Sequence, residues 1–438
     1  MARSNLVESN LNQDVMQAVE SLNYRVTVGD VAAQAGLDVQ VAQQGLLALA
    51  SETQGHMQVS EAGEIAYEFP RNFRGILRNK YWQLRMQETL SKVWQVAFYL
   101  IRVSFGVVLV TSIVIIWVAI FALMIAASSQ GGGSRDRRGG GFIFFPTDIF
   151  YLFDYNYRRG RRRYPNRYTG RGSSKSGSKL NFLEAIFSFL FGDGDPNADL
   201  EDRRWRTIGK VISNNGGAIV AEQVAPYLDD LGEGWEKEYE DYMLPVLSRF
   251  NGQPEVSPTG DMVYYFPELQ VSAIERGQVA VSAYLKETKR KFTQASSDQV
   301  MLSIGLGAVN IIGALILGNM LQEAVGLTGF LGFAQAILGV LMVYGVAFLA
   351  TPLIRYYWVQ WQNSKIEGRN EKRAQRATVL NRLGPAFKEK IAFAQQFASQ
   401  KVLKEEESVY STDKDIWEQE VDRDKQLEAE FRQRLNEI

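Results

Sequence analysis

Few side chains in this sequence could carry out catalysis or hold a metal ion. The 438 residues contain no cysteine and one histidine, His56. Without cysteine the chain can form no disulfide, thiolate zinc site or cysteine-ligated iron–sulfur cluster. We interpret His56 as an exposed turn residue, since one histidine supplies neither a His-based metal site nor a Ser-His-Asp relay. No motif brings an acid, a base and a nucleophile together, so the sequence predicts no enzyme, no cofactor and no metal.

The spacing of Asp193, Asp195 and Asn197 resembles the start of a calcium loop. An EF-hand needs glycine at its sixth position and glutamate at its twelfth, where this sequence has Ala198 and Arg204. The stretch is more typical of a helix cap, in which Asp or Asn accepts hydrogen bonds from the first amides of a helix. We predict such a cap for a helix over Ala198–Ser213.

Acidic residues dominate two stretches of the chain. Val26–Pro70 has six acidic residues and no Lys or Arg, and Ala218–Pro267 has ten against two basic ones. A DNA-binding protein needs cations to neutralise phosphates, so the glutamines of the predicted recognition helix Val39–Ser51 do not suffice. We therefore predict acidic surfaces that bind protein partners, and no nucleic acid. The predicted docking residues are Glu61, Glu64, Glu68, Asp229, Asp230, Glu233, Glu236 and Glu238.

Basic residues cluster beside the apolar stretches instead. Between Arg71 and Arg85 they alternate with aromatic and aliphatic residues, which is typical of an amphipathic helix on an anionic membrane surface. The alternative is a connector helix packed on the preceding domain. For the Arg-rich stretch Gly131–Leu180 we predict a polybasic patch held by anionic lipids, with nucleic acid or a partner's acidic surface as alternatives. The predicted headgroup-binding residues are Arg71, Arg74, Arg78, Lys80, Arg85, Arg158, Arg159, Arg161, Arg162, Arg163, Lys289, Arg290 and Arg355.

An internal repeat organises these stretches. VSEAGEIAYEFP (Val59–Pro70) returns 197 positions later as VSPTGDMVYYFP (Val256–Pro267), with six of twelve positions identical. Each copy predicts a β-hairpin closed by a turn that contains glycine. Helical stretches precede both hairpins, over Thr27–Asp38 and Ile219–Asp229. The order helix, turn, helix, hairpin is the winged-helix plan, so the sequence predicts two copies of one module.

Membrane-length apolar runs follow both copies. We predict one span over Val103–Ala126, with a tight hairpin of two short helices as the alternative, and a second and third over Val300–Met320 and Thr328–Leu353. The aromatic segment Phe142–Phe153 is a doubtful fourth membrane segment. The apolar run Leu180–Phe191 is too short to span and predicts an interfacial or buried helix.

The predicted fold class is therefore an α+β membrane protein with two winged-helix-like modules, each followed by transmembrane helices, and a charged helical C-terminal tail. Because Lys and Arg gather on the side of synthesis, we expect both modules on the cytoplasmic side or its plastid equivalent. The predicted domains are a first module (1–70), a basic helix with the first transmembrane block (71–128), a linking region (129–192), a second module (193–270), a basic helix with a transmembrane hairpin (271–361) and the tail (362–438).

Three stretches carry a resemblance to a known family: FSFLFGDGDPNADLEDRRW (Phe187–Trp205), the following GAIVAEQVAPYLDD and the upstream FFPTDIF. They resemble integral membrane proteins of cyanobacteria and chloroplasts whose plant members are labelled "iron–sulfur cluster biosynthesis family protein". The resemblance implies a thylakoid, envelope or cyanobacterial membrane. The label does not transfer, because this chain has no thiolate to hold a cluster or accept sulfur.

Three functions are compatible with these features. The first is a membrane-anchored docking or assembly factor of a photosynthetic membrane, which binds proteins and anionic lipids and can form oligomers. The second is a membrane-tethered transcription regulator, which the acidic modules argue against. The third is a transporter or channel, although the apolar stretch Val300–Leu353 contains a single ionisable residue, Glu323.

Overall fold

The computed structural model describes residues 13–80, 82–130, 181–229, 231, 240–275, 277–324, 328–380, 384–404 and 408–413, and parts of 415–432. The chain divides into two compact units. Unit 1 comprises Met1–Thr89, Pro196–Lys289 and Ser364–Ile438, and unit 2 comprises Leu90–Asp195 and Arg290–Asn363. Several predictions fall outside the described residues, namely those on the segment 142–153 and on Arg158, Arg159, Arg161, Arg162, Arg163, Asp230, Glu233, Glu236 and Glu238.

The first half of unit 1 begins with a helix over 13–21 (α1). Strand β1 (Arg25–Thr27), helices α2 (Val28–Ala35) and α3 (Val39–Thr53), and strands β2 (His56–Ser60) and β3 (Ile65–Glu68) follow. Local chemistry sets these boundaries. Thr27 and Asp30 form a capping box at the start of α2, and Gly36 ends the helix with a left-handed φ of 70°. The strands form an antiparallel sheet in which β3 lies between β1 and β2.

The second half of unit 1 repeats this order. Helix α7 (Leu200–Asn214), strand β4 (Ala218–Ile219), the short helix α8 (Ala221–Val224), helix α9 (Leu244–Phe250), and strands β5 (Gln253–Val256) and β6 (Met262–Tyr265) follow one another. Strand β6 lies between β4 and β5, and both pairings are antiparallel. Helix α6 (Phe182–Phe191) precedes α7 in the chain and belongs to unit 2.

The two hairpin turns also match. The Ser60 amide donates to the Glu64 carbonyl over 2.9 Å, and the Ser257 amide donates to the Asp261 carbonyl over 2.8 Å. Gly63 and Gly260 adopt φ values of 82° and 86°, which only glycine adopts without strain. Both predicted hairpins are confirmed.

The two halves of unit 1 share one hydrophobic core. Helices α2 and α7 pack so closely that a Cβ atom on Gly209 would lie 2.8 Å from the Cα atom of Ala33. Phe73 and Leu77 of helix α4 (Phe73–Lys80) are buried in the same core. The apolar side of this helix therefore packs on protein, as the alternative of a connector helix predicted.

The C-terminal tail is less helical than predicted. Helix α12 (Pro385–Gln395) packs through Ala394 and neighbouring aromatic residues on Val220 and Val263 of the second half. Two strands follow it: β8 (Lys401–Val402) pairs in parallel with β7 (Val271–Ser272), and β9 (Ser408–Ser411) pairs with β2. The predicted helical tail thus contains a helix that packs back on the second half, together with two strands that complete sheets of unit 1.

Unit 2 is built on three long helices, and part of two of them continues into unit 1. They are α5 (Trp82–Gln130), α10 (Ser297–Glu323) and α11 (Gly329–Leu380), and each is long and apolar enough to cross a membrane. The block that contains the first predicted span is one continuous helix, so the alternative of a tight hairpin is wrong.

Contacts along these helices fix their directions. Ser112 and Ile116 of α5 meet Asn310 and Gly313 of α10, so these two helices run parallel. Gly307 and Gly318 of α10 meet Phe348 and Leu338 of α11, so this pair is antiparallel. The small residues allow the close approach that membrane helices use for packing.

Helix α6 packs into this bundle through Ile186, Phe189 and Leu190. Of the two predictions for this short apolar run, an interfacial or a buried helix, the structure shows the buried one. Gly192, with φ 83°, follows the helix. A Cβ atom at Gly192 would collide with the Arg355 guanidinium, and Arg355 donates to the Phe189 carbonyl over 3.0 Å. The FGDG sequence thus ends the helix against an arginine.

Two local predictions are wrong. Asp199 is the N-cap of α7, and its side chain makes no capping hydrogen bond. The side chains of Asp193 and Asn197 instead accept from the amides of Gln294 and Thr288, respectively. His56 begins strand β2 and lies 3.4 Å from the Asp413 carboxylate, so it is not a turn residue.

Candidate protein-docking surface

The outward sides of α3 and α9, the helices that precede the two hairpins, form two exposed faces. On α3 the exposed side chains are Gln40, Gln43, Gln44, Leu47, Ala48 and Ser51. On α9 they are Leu244, Pro245 and Ser248. We call these the docking faces. Leu47 is 43% exposed and Leu244 is 62% exposed, and neither face carries a positive charge on these side chains.

Three arginines near the two halves' contact donate hydrogen bonds to backbone carbonyls of unit 1. Arg249 is the one basic residue of α9, and its Nε donates to the Gly36 carbonyl over 2.8 Å while its guanidinium stacks on Trp205. Arg206 donates to the Ala35 carbonyl, and Arg25 donates to the carbonyls of Ala273 and Leu403. These cations join segments of unit 1.

The predicted docking residues of the first half fall into two groups. Glu61 is exposed at the hairpin turn. Glu64 forms an ion pair with Lys401 at 2.6 Å, and Glu68 accepts from Gln58 at 3.2 Å. Glu64 and Glu68 therefore already have partners within unit 1, whereas Glu61 faces solvent.

Asp229, the described docking residue of the second half, belongs to an ion network. Its carboxylate accepts from Arg204 and from Arg373, and Arg373 also lies 2.9 Å from Glu287. Burial by itself would raise the pKa values of both carboxyls, but hydrogen bonds and charges from the arginines outweigh it, so both pKa values lie below the ordinary 3.8 and 4.5. Asp229 thus contacts the part of α11 that belongs to unit 1, through Arg373.

A second network holds α12. Lys390 is buried, and its Nζ lies 2.9 Å from Glu222 and 2.8 Å from Glu240. Burial alone would lower the Lys390 pKa, but the two carboxylates outweigh it and raise that pKa above 10.5. The Tyr264 hydroxyl donates to Glu240 over 2.6 Å. This network fixes the tail on the second sheet.

The predicted headgroup-binding residues occupy different environments. Arg71 is exposed, Arg74 pairs with Glu20, and Lys289 pairs with Glu367 at 3.0 Å. Arg290 pairs with Asp195, and Arg355 donates to carbonyls at the end of α6. The remaining described residues are Arg78 and Lys80, on α4, and Arg85, on α5.

A cavity of about 180 Å³ lies where the two halves of unit 1 meet. Its lining includes Asp30, Lys210, Asn214 and Lys401. Pockets for ordinary organic ligands measure about 300–1,000 Å³, so this cavity suits water or a small ion. Within the described part of the chain, no three His, Cys, Asp or Glu side chains are grouped to hold a metal ion.

Comparison with known proteins places the chain in a family. No protein-family model matches it, and no solved structure matches it. "Uncharacterized protein At5g03900, chloroplastic" from Arabidopsis thaliana is 37% identical in an alignment of 442 residues. The alignment covers 97% of this chain and 83% of the plant protein. The chain belongs to this chloroplast family. The name of the chloroplast relative supports the plastid part of the resemblance and does not confirm the iron–sulfur label.

Several residues that hold unit 1 together cannot be predicted from the local sequence. Arg373 and Lys390 lie among many charges of the tail, and their partners Asp229 and Glu222 are 144 and 168 residues away, respectively. The sequence predicts no role for Glu255 and Asp261 on the second hairpin. The offset of 197 residues aligns them with Gln58 and Glu64 of the first copy, so the repeat could have identified them.

Proposed function

We propose that the protein is a non-catalytic, membrane-anchored docking or assembly factor of a photosynthetic membrane, whose docking faces bind protein partners. The observation that carries the proposal is the distribution of charge in unit 1. Exposed glutamines and Leu47 lie on α3, exposed Leu244 lies on α9, and Glu61 and Asp241 are exposed acids of the same two halves. The arginines described above contact internal carbonyls and carboxylates instead. Such a surface suits a partner with an apolar patch and a basic rim.

We further propose that each half of unit 1 is a winged-helix-like module derived by duplication. Equal strand order, equal turn geometry and the offset of 197 residues support this proposal. Equivalent caps support it too: the Thr27 amide donates to the Asp30 side chain, and the Val220 amide donates to the Gln223 side chain, each over 3.0 Å. Winged helices without a cationic recognition face are suited to binding protein.

The proposed location of both modules is the cytoplasmic or stromal side of the membrane. Helices α5 and α10 begin at one end of the bundle, and the apolar part of α11 ends there too. At this end the chain continues into residues of unit 1. This arrangement supports one shared compartment. The positive-inside tendency supports the side, because Lys289, Arg290 and Arg355 lie near that end.

The absence of cysteine from the sequence makes the location testable. Single cysteines introduced by Glu61→Cys and Asp261→Cys should react equally with a membrane-impermeant maleimide in sealed vesicles. A cysteine introduced by Gln322→Cys, at the opposite end of the bundle, should react only after permeabilisation or in vesicles of the other orientation. Different labelling of Glu61→Cys and Asp261→Cys would contradict a shared compartment.

Affinity capture tests the docking function. The tagged full chain is captured from solubilised photosynthetic membranes as wild type, as Leu47→Asp and as Leu244→Asp, with Gln395→Asp, at an exposed position of α12 outside the docking faces, as the matched control. We expect reproducible protein partners with wild type and the control, and loss of partners with one or both Asp variants. The same protein should show no salt-dependent shift of DNA; a DNA shift together with an empty capture would favour the tethered regulator.

A further inference from the structure

The two hairpins of unit 1 differ at their outer edges. In the first half, strand β9 pairs with the outer edge of β2, with Tyr410 opposite Val59. In the second half, β5 is the edge strand, and no other strand in the described part of the chain pairs with its outer side. All four residues of β5 are exposed, and Val256 is 61% exposed, whereas Val59 is half-buried.

The outward backbone groups of the two edges can be matched through the repeat. The amides of Ser60 and Ser257 close their own hairpins, so by strand alternation the residues one and three positions earlier face outward. In β2 these residues are Val59 and Met57, and the Met57 carbonyl accepts from the Thr412 amide over 3.0 Å. In β5 they are Val256 and Pro254.

Pro254 limits this edge without closing it. Proline has no amide hydrogen, so at an outward position it removes one donor from the edge. At the equivalent position of the first half, the Met57 amide donates to the Thr412 hydroxyl and not to a strand carbonyl. Although Pro254 lacks an amide hydrogen, three outward backbone groups of β5 can still pair with another strand. They are the carbonyls of residues 254 and 256 and the Val256 amide.

The side chains beside the open edge define what it can bind. Val256 and Met262 are directly opposite each other on β5 and β6, and both are exposed. The first half has Val59 and Ile65 at these positions, beside Tyr410 of β9. Glu255 on β5 itself is an exposed acid. An aromatic residue with basic neighbours complements this edge.

We propose that the outer edge of β5 binds an extended, lysine- or arginine-flanked segment of a partner protein as an antiparallel strand, with an aromatic side chain on Val256. The second half of unit 1 thus takes from a partner the strand that β9 supplies to the first half. Main-chain hydrogen bonds give the affinity and the flanking charges give the selectivity, as in other cases of strand addition. The proposal rests on the proposed docking function and names one contact within it.

Synthetic peptides test the proposal on the full chain in nanodiscs. The probe is the sequence SVYST, which comprises β9 and Thr412, with two lysines at each end and a fluorophore, and its counterpart carries glutamates in place of the lysines. We expect saturable binding of the lysine peptide and at least about tenfold weaker binding of the glutamate peptide at low salt. N-methylation of successive peptide amides should weaken binding at every second position only, because alternate amides face the edge.

Two variants locate the contact. Val256→Pro removes the remaining outward amide of β5, and Pro254 shows that an outward position of this strand accommodates proline. The substitution should weaken binding about tenfold, which is the effect of one lost hydrogen bond. Val256→Thr keeps the amide and the β-branched shape and should bind nearly as wild type. An unchanged thermal midpoint for both variants would show that the fold is retained.

Three results would overturn the proposal: no binding of the lysine peptide, binding unchanged by Val256→Pro, or equal loss at every methylated amide. Binding that survives Val256→Pro would mean exchange with β9 on the first sheet. Affinity capture separates this proposal from the docking function. Partners that are lost with Leu47→Asp but kept with Val256→Pro contradict the strand contact alone, whereas capture of no partner by wild type contradicts the docking function.

Discussion

Replacing Arg373 by methionine should strongly destabilise unit 1. The Arg373 side chain is 1% exposed and bridges Asp229 and Glu287, and Glu287 is itself 3% exposed. Removing one partner of a buried ion pair costs about 3–5 kcal/mol, because the remaining charge stays buried. For a unit of this size, about 2–4 °C per kcal/mol gives a fall of about 6–20 °C in the unfolding midpoint.

Arg369 supplies the matched control. It pairs with the same Glu287 carboxylate, but its side chain is 44% exposed. Solvent screening reduces the value of such a pair to about 1 kcal/mol, so Arg369→Met should lower the midpoint by no more than about 4 °C. The midpoints can be measured by pulse proteolysis of the solubilised full chain. A loss for Arg373→Met no greater than for Arg369→Met would refute the assignment of a buried network.

The network also predicts a dependence on pH. The pKa values of Asp229 and Glu287 are lowered in the folded state, so their stabilisation is fully present above their unfolded pKa values of about 4. It is lost as the pH falls through the lower folded values. The wild type should therefore lose stability below pH 4 more steeply than Arg373→Met, and parallel curves would contradict the linkage.

Three further predictions concern the tail and the bundle. Lys390→Met should release α12 to proteolysis, whereas Lys388→Met, at an exposed position of the same helix, should not. Because the pKa of Lys390 is raised in the folded state, the stabilisation from Lys390 should persist below pH 10.5 and be lost above that pH. Gly345→Leu should lower bundle stability by about 1–3 kcal/mol, since a Cβ there would lie 2.7 Å from Ile311, whereas Gly339→Leu should be tolerated where no atom lies within 4 Å. Deleting residues 408–438 should expose the β2 edge and cause self-association, detectable by light scattering.

The hairpins could be predicted because their signals are local. Each copy places alternating strands and a turn with glycine within twelve residues, and a second copy of the same pattern follows 197 positions later. The continuity of α5 needed the structure, since a long apolar run is compatible with one helix or with two short ones.

Contacts between distant segments could not be predicted. Strand β9 has four residues in a charged stretch, and its partner β2 lies about 350 residues earlier. Asp229 was predicted at a docking surface because it lies in an acidic stretch, but arginines from α7 and α11 neutralise it. Charge along the sequence does not show which carboxylates already have partners in the fold.

The docking claim is tested most directly by photocrosslinking in intact membranes. A photoreactive amino acid at Gln43, on the α3 docking face, should form reproducible adducts with protein of defined size. The same group at Gln322, at the other end of the bundle, should not form those adducts. Adducts with nucleic acid at Gln43, or the same protein adducts at both positions, would contradict the account.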